Sequence, residues 1–521
     1  MTRSVLALFL CAGWLGAADP GVWKVAPPPP ASWERDRVAD LTARRKAAMD
    51  QIGEKGILIL YAAEPRNYAG DVDWPYRQEN DFYYLTSVAQ VGSALVLIPG
   101  AHSVRGILFL PASNPAQETW TGHILTPPEG RSISGIQDVV DARLLNAFLS
   151  SLIPAAKPAF PEETATAGRD GRGTPAPPPP MPERLIAETR TPIENIFLIS
   201  RGRPAEFHRE IDLAQKLSAA GLTVKDATPI FANLRRVKSQ REIEMLGHAV
   251  EITTEAFQRA YTLAVPGTPE YEIQAQFEFT FLRRNAHWGY PCIVGSGVNA
   301  TTLHYESNKD RMKAGDLLLM DDAAEFDQYS VDVTRTIPVN GKYSREQADI
   351  YRLVWQAQQA GFQQVLPGRA WTGGADSVTG AANQVFKEGL LKLGLITDPS
   401  NDQQLKIWFN HGIGHNIGLN VHDGPAIKEL QPGMVVTLEP GIYIRPDALD
   451  NLPKTPENKK FIAAVRPAFE KYKGIGVRIE DDVLVTSGAP EVLSAGIPSK
   501  LEEVEAAIAH LRTAVKTSPL P

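Results

Sequence analysis

The sequence predicts an α/β N-terminal domain followed by an α+β domain. Three features of the 521-residue chain carry this reading. First, short apolar runs flanked by turn-forming residues (Ile57–Ala62, Ala94–Ile98, Ile107–Leu110 and Ile196–Ile199) alternate with helix-patterned segments near Trp33–Gly53 and Ala205–Ala220, the order expected of α/β folding. Second, the pattern changes near Pro229. Ser239 and Glu242 form a Ser-x-x-Glu capping box, after which Ile243, Leu246 and Val250 recur at helical spacing. Third, helices expected at 269–284, 344–366 and 373–393 lie among strand-like runs at Leu317–Met320, Val331–Val339, Met434–Leu438 and Val477–Thr486, which is an α+β arrangement. The domains are accordingly placed at 19–228 and 229–515.

Residues 1–18 stand apart. Arg3 opens a short basic start, Val5–Leu15 is apolar, and Gly16, Ala17 and Ala18 supply small residues before Asp19. This is the layout of a secretory signal peptide, and it implies an exported protein, periplasmic or secreted. The apolar run falls short of the roughly 20 residues a membrane span needs, so no stable membrane insertion is expected. Pro27–Pro30 reads as an extended linker, and the Gly/Pro-rich stretch at about 155–183 as a surface insertion.

Composition narrows the function classes. A hydrophobic content of 43% suffices for a sizeable core, and a net charge of −7 lacks the basic footprint of a nucleic-acid binder. Only Cys11 and Cys292 are present, and Cys11 lies in the signal segment. A disulfide framework and a multi-cysteine metal site are therefore excluded from the mature chain.

The chemistry-bearing residues sit in the second domain. Asp321 ends the run Leu317–Met320, and Asp332 follows within Ser-Val-Asp-Val-Thr-Arg-Thr. Aspartate is depleted in strands, and a buried carboxylate requires a cation or metal partner; capping of turns and pairing with Arg335 are the alternatives. His411-Gly-Ile-Gly-His415 and His422 place three of the ten histidines within twelve residues. The glycines among them permit close backbone approach, and imidazole is a common metal ligand. Glu439 closes Met434–Leu438 ahead of Pro440-Gly441, and Glu480 lies in Gly476-Val-Arg-Ile-Glu-Asp-Asp, where a salt bridge from Arg478 to Glu480 or Asp482 is the simpler alternative. Together, four carboxylates and a histidine form an oxygen-rich set. It suits Mn2+ first, with Co2+, Fe2+ or Zn2+ as alternatives, and bridging carboxylates allow such a set to hold two ions.

The segments Met320-Asp321, Asp332-Val-Thr-Arg-Thr, His411-Gly-Ile-Gly-His415, Leu438-Glu-Pro-Gly and Arg478-Ile-Glu-Asp-Asp, in this order, resemble the pita-bread metallopeptidases, the family of aminopeptidase P, prolidase and methionine aminopeptidase. Val294-Gly-Ser-Gly, His304-Tyr305 and Val237-Lys-Ser-Gln-Arg-Glu-Ile fit as well, and Tyr76–Thr86 resembles the N-terminal domain of aminopeptidase P and its prolidase relatives. The likeness covers roughly residues 38–130 and 229–510. It departs at Ser87, where relatives often carry glycine, and in the long stretch Pro446–Lys473 between Glu439 and Glu480.

The resemblance implies a pita-bread catalytic domain whose metal ligands are Asp321, Asp332, His415, Glu439 and Glu480, with Asp332 and Glu480 bridging the ions. It implies that His304, His411 and His422 position substrate, that Glu439 also moves a proton, and that Tyr443 and Arg478 support the site. It further implies an Xaa-Pro aminopeptidase acting on peptides with proline in second position, and a homo-oligomer, dimer or tetramer. The alternatives are an Xaa-Pro dipeptidase and a non-catalytic binding protein on the same fold.

Overall fold

The computed structural model describes residues 23–160, 178–200 and 204–517; the expected signal peptide lies outside these, as do residues 161–177 of the expected insertion. The first half builds one six-stranded sheet in the order Asp138–Asp141, Gly106–Leu110, Ala94–Leu97, Gly56–Tyr61, Asn195–Leu198, Thr223–Asp226. Ala94–Leu97 pairs antiparallel with both of its neighbours, and the other three pairs are parallel. Both faces are covered: Ile57, Ile59, Val96, Ile107 and Phe109 fill one core, while Leu58, Leu60, Leu95, Leu97 and Leu108 belong to another. That is why these strands read as continuous apolar runs rather than alternating ones. The second of these cores continues without a break into the second half of the chain.

One expectation about the connecting segments is corrected. The run Pro27–Pro30 ahead of the helix Ser32–Ile52 is exposed and in neither helix nor strand, as a linker reads, while the residues before it are pinned: the Ala26 N–H donates to Glu255 Oε2 at 3.0 Å, and the Arg259 guanidinium lies over the Trp23 ring at 4.2 Å. The described start of the 155–183 segment is not a surface loop, because Ala156 and Phe160 are buried in the N-terminal core. Apolar side chains within a Pro-rich composition decide this, and the composition alone concealed them.

The second half opens on the helix Gln240–Leu263, whose capping box is made in both directions between Ser239 and Glu242. Four small sheets follow. They join Ile293–Ser296, Leu317–Asp321 and Thr334–Pro338; His287–Trp288, Ala324–Phe326 and Tyr329–Ser330; Val435–Leu438, Asp481–Leu484 and Glu491–Val492; and Gly441–Tyr443 with Gly476–Arg478. The long stretch 446–473 contains the helix Pro456–Tyr472, which buries Phe461, Val465, Phe469 and Tyr472. Its Tyr472 hydroxyl donates to Asp349 at 3.0 Å, on the helix Arg345–Phe362.

The strands expected at Val331–Val339 and Val477–Thr486 are each cut back. The first is confined to Thr334–Pro338, with the separate strand Tyr329–Ser330 ending before it, and the second is divided into Gly476–Arg478 and Asp481–Leu484. Asp332 and Glu480 therefore lie in breaks rather than inside strands, and Glu439 lies in the break between Val435–Leu438 and Gly441–Tyr443. Backbone donors at the breaks find partners elsewhere: Asp332 N donates to Asp482 Oδ2 at 3.2 Å, Glu439 N to Ile413 O at 2.9 Å and Glu480 N to Thr334 O at 3.1 Å.

Helix Asn80–Thr86 ends at Ser87, which adopts the left-handed conformation (φ 52°) that glycine takes without steric cost. Ser87→Gly is expected to stabilise the protein by about 0.5–1 kcal/mol, the left-handed penalty of a side chain less the entropy glycine adds to the unfolded chain. Urea denaturation of the two proteins checks this, and an unchanged or lower midpoint for the variant would count against the strain.

Candidate metal centre

The strand breaks, together with one strand end, turn four carboxylates toward a common point. Asp321 ends Leu317–Asp321 and pairs in register with Thr334, which places it beside the Asp332 break. The breaks at Glu439 and Glu480 lie side by side, since Leu438 pairs with Asp481 and Gly441 with Arg478. His415 arrives on an irregular segment that runs along Val435–Leu438: Ile417 N donates to Val435 O, Thr437 N to His415 O at 2.8 Å, and Glu439 N to Ile413 O. Gly414 makes this possible, because a Cβ there would sit 2.1 Å from Thr437 O.

Asp332, His415 and Glu480 present donor atoms that all lie within 4.8 Å of one another, a candidate metal-binding cluster. The other two expected ligands adjoin it. His415 Nε2 is 3.5 Å from Asp332 Oδ2 and 3.7 Å from Glu439 Oε1, and the Tyr290 hydroxyl reaches Asp321 Oδ1 and Asp332 Oδ1 at 2.7 Å each. Asp321, Asp332 and Glu480 are buried.

Neither simpler pairing survives. Arg335 donates to Asp481 Oδ1 at 2.6 Å and to the carbonyls of Glu480, Ile497 and Pro498, not to Asp321 or Asp332. Arg478 bonds Asp321 Oδ2, Thr334 Oγ1 and the Tyr443 hydroxyl rather than Glu480 or Asp482. Positions 478, 480 and 482 would share one face of a continuous strand, but the break between Gly476–Arg478 and Asp481–Leu484 removes that alignment.

The remaining expected residues fall around the cluster. His411 Nδ1 donates to Gly412 O at 2.8 Å, so its Nε2 accepts from the Tyr443 hydroxyl at 2.9 Å, and that hydroxyl accepts from Arg478 Nη1 at 2.9 Å. Burial, then Arg478, lowers the His411 imidazole to about 3, so it stays neutral. The His422 ring lies 3.9 Å from that of His415, centroid to centroid. His304 is exposed, and its charge would oppose charging of both His411 and His422.

Sequence reasoning missed Tyr290, Thr334 and Gln358. Thr334 donates to Glu480 Oε2 at 2.7 Å. The buried Gln358 amide nitrogen contacts Leu438 O, Ile479 O and Asp481 Oδ2 at 3.0–3.1 Å, tying together the residues that flank Glu439 and Glu480. Three acceptors around one terminus fix which end of the amide carries hydrogens. Thr334 stood inside a quoted motif, whereas Tyr290 and Gln358 carry no local signal.

The charge of the cluster fits a bound cation. Burial pushes Glu439 up to about 8 against His415, and it pushes Glu480 well above the usual range, reinforced by Asp332, Glu439 and Asp321. Burial would lower His415, but Asp332 and then Glu439 override it and hold the imidazole at about 9. Such crowding of buried carboxylates around few cations is relieved by a divalent metal.

Fold and site together define a metallopeptidase. The chain matches the metallopeptidase family M24 over residues 244–487 and the aminopeptidase P N-terminal domain over residues 41–160. It is 31% identical over 481 residues to the Xaa-Pro aminopeptidase of Escherichia coli, covering 90% of this chain and 97% of that protein. It is 29% identical to human Xaa-Pro aminopeptidase 3, covering 88% of this chain and 82% of that protein. Among solved structures, Pseudomonas aeruginosa aminopeptidase PepP superposes with a TM-score of 0.74 at 30% identity, over 91% of this chain and 98% of that one. Escherichia coli aminopeptidase P gives 0.73 at 29%, over 91% and 99%. The chain belongs to the pita-bread metallopeptidases of family M24.

The raised values of His415 and Glu439 carry one sign. In the metal-free fold these groups bind more protons than in the unfolded chain, so their contribution is fully present below the unfolded values and is lost as pH rises through about 8 and about 9. Added Mn2+ should therefore raise the unfolding temperature more at about pH 8.5 than at about pH 6. Thermal melts of chelator-treated protein with and without metal test this; equal shifts at both pH values would contradict it.

Proposed function

We propose that this chain is an Xaa-Pro aminopeptidase, which removes the N-terminal residue from peptides whose second residue is proline. The observation that carries the reading is the convergence of Asp321, Asp332, His415, Glu439 and Glu480 within a fold shared with Xaa-Pro aminopeptidases along nearly their whole length.

Charge counting favours two ions. The four carboxylates against Arg478 leave a net charge of about −3 with His415 neutral as a ligand, and two divalent ions supply four positive charges, one in excess, the amount a hydroxide nucleophile balances. Mn2+ suits the oxygen-rich donor set. Such ions, when bound, activate a water and polarise the scissile carbonyl.

The protein groups do the rest. Glu439, beside His415 at 3.7 Å, is the carboxylate we assign to moving a proton as well as holding an ion. We assign His304, His411 and His422 to positioning the substrate; both ring nitrogens of His411 are bonded, to Gly412 O and the Tyr443 hydroxyl, so an N–H toward charge developing on the substrate oxygen comes from His304 or His422. Tyr443 and Arg478 orient His411 and Asp321. A bond to proline has no N–H and a fixed φ, so a pocket that grips the ring succeeds where hydrogen bonding to that amide fails. We assign the active form to a homo-oligomer, dimer or tetramer. We also assign the protein to the periplasm or the exterior, with residues 1–18 removed; N-terminal sequencing of protein from the non-cytoplasmic fractions should begin at Asp19, and an intact Met1 there would refute this.

Hydrolysis of the tripeptide Arg-Pro-Pro and the dipeptide Ala-Pro, each with Mn2+ and with chelator, tests the function. Metal-dependent release of arginine is expected, and cleavage of the dipeptide alone would make the enzyme a dipeptidase. Asp332→Ala should abolish hydrolysis and lower metal content together, and near-normal turnover by that variant would remove the ligand assignment.

A further inference from the structure

The eight residues from Asn416 to Asp423 connect the buried end of the histidine segment to His422. One side of this loop faces the site, where the His422 ring lies against His415. Its other side is gripped by a short stretch of the N-terminal domain, Arg77–Asp81. Arg77 Nη2 donates to Leu419 O at 2.6 Å, and Asn80 Nδ2 donates to Asn420 Oδ1 at 2.6 Å. Asp81 accepts from Arg235 Nη1 at 2.7 Å, and the other end of the same guanidinium holds Asp423 Oδ1. Lys238 completes the set, donating to Arg235 O at 2.6 Å and to Asp423 Oδ2 at 3.4 Å.

All four charged side chains are at least nine-tenths buried, and their two positive and two negative charges balance. A balanced quartet with each member bonded is the form in which buried ions are tolerated; removing one partner leaves the others uncompensated. The loop has little freedom to answer such a loss by moving alone. Asp423 N is bonded to Asn416 O at 2.8 Å, and a Cβ on Gly418 would lie 2.2 Å from Asp423 Oδ2. The position of Asp423 thus fixes the loop, and His422 is the next residue along the chain.

We propose that the N-terminal domain positions His422: Asp81, Asn80 and Arg77, together with Arg235 of the second domain, which bridges Asp81 to Asp423, are positioning residues that hold the 416–423 loop so that its histidine meets the substrate. The domain then serves the chemical step as well as the peptide's entry. A planar fork joining two carboxylates on opposite sides is a task for arginine, and lysine, a point charge, does not replace it. The inference rests on the aminopeptidase reading of the site.

The test is a double-mutant cycle on the Mn2+-loaded full chain with Arg-Pro-Pro as substrate, combining Asp81→Asn with His422→Ala. Asp81→Asn alone should lower kcat/KM by about 10- to 100-fold, the cost of displacing a positioned group by about 1 Å. Its metal content should equal that of the wild type. In the His422→Ala background the same substitution should have little further effect, because what it acts through is gone. Asn80→Ala, a milder change at a half-buried site, should show the same non-additivity if Asp81→Asn does not fold. Losses that multiply regardless of His422, or that accompany loss of metal, would overturn the proposal. An inactive wild type would instead refute the aminopeptidase reading.

Discussion

The concentration of buried carboxylate charge at one point governs the second half of this molecule. Asp321, Asp332 and Glu480 are each less than a tenth exposed, and Glu439 is only partly open to solvent. Unpaired, such groups would cost several kcal/mol each. Among the described residues, Arg478 is the one arginine or lysine bonded to any of these carboxylates, and it reaches Asp321 alone. The remainder must be met by a cation the chain does not itself supply. The strand breaks, the bare α-carbon at Gly414 and the Gln358 bridge across two ligand segments then make sense as means of assembling the acids against their mutual repulsion.

The two nearby arginines show how the fold keeps structural and site electrostatics apart. Arg335 is fully buried and spends its donors on Asp481 and on backbone carbonyls near residue 497, joining the C-terminal stretch to the sheet. Arg478 spends its donors on Asp321, Thr334 and Tyr443. Asp322, beside Asp321, and Asp482, two residues past Glu480, are buried; both Asp322 oxygens and Oδ1 of Asp482 lack a hydrogen-bond partner, while Asp482 Oδ2 accepts from Asp332 N, and burial pushes both groups well above the usual range.

Legibility in the sequence divides along physical lines. Residue type reports chemistry directly, so carboxylates on apolar runs and histidines among glycines exposed every member of the cluster. Hydropathy reports burial but not ladder pairing, so Asp332 and Glu480 read as strand interiors although their backbone N–H groups bond elsewhere. Partner choice is invisible along the chain. Arg478 and Asp321 are separated by 157 residues, and Gln358 lies 80 from Leu438 and 121 from Ile479. The buried Trp23 and Ala26 ahead of the Pro27–Pro30 run were hidden for the same reason, since their contacts lie on the helix Gln240–Leu263.

Burial also grades across the site in a way that follows from the work of each residue. The acids lie deep, because a cation held in a dry pocket is held more firmly and its effect on a bound water or carbonyl is screened least. The histidines lie shallow: His304 and His422 are exposed and His411 is half-buried, since a group that meets a peptide must face the solvent from which the peptide comes. A shallow residue on an eight-residue loop has few neighbours of its own to fix it. Deep ligands are fixed by the sheets that carry them, whereas an exposed histidine must borrow rigidity from whatever packs behind its loop. Here that is the N-terminal domain, through Arg77, Asn80 and the Asp81–Arg235–Asp423 bridge. The two halves share one apolar core because the site needs both of them in register.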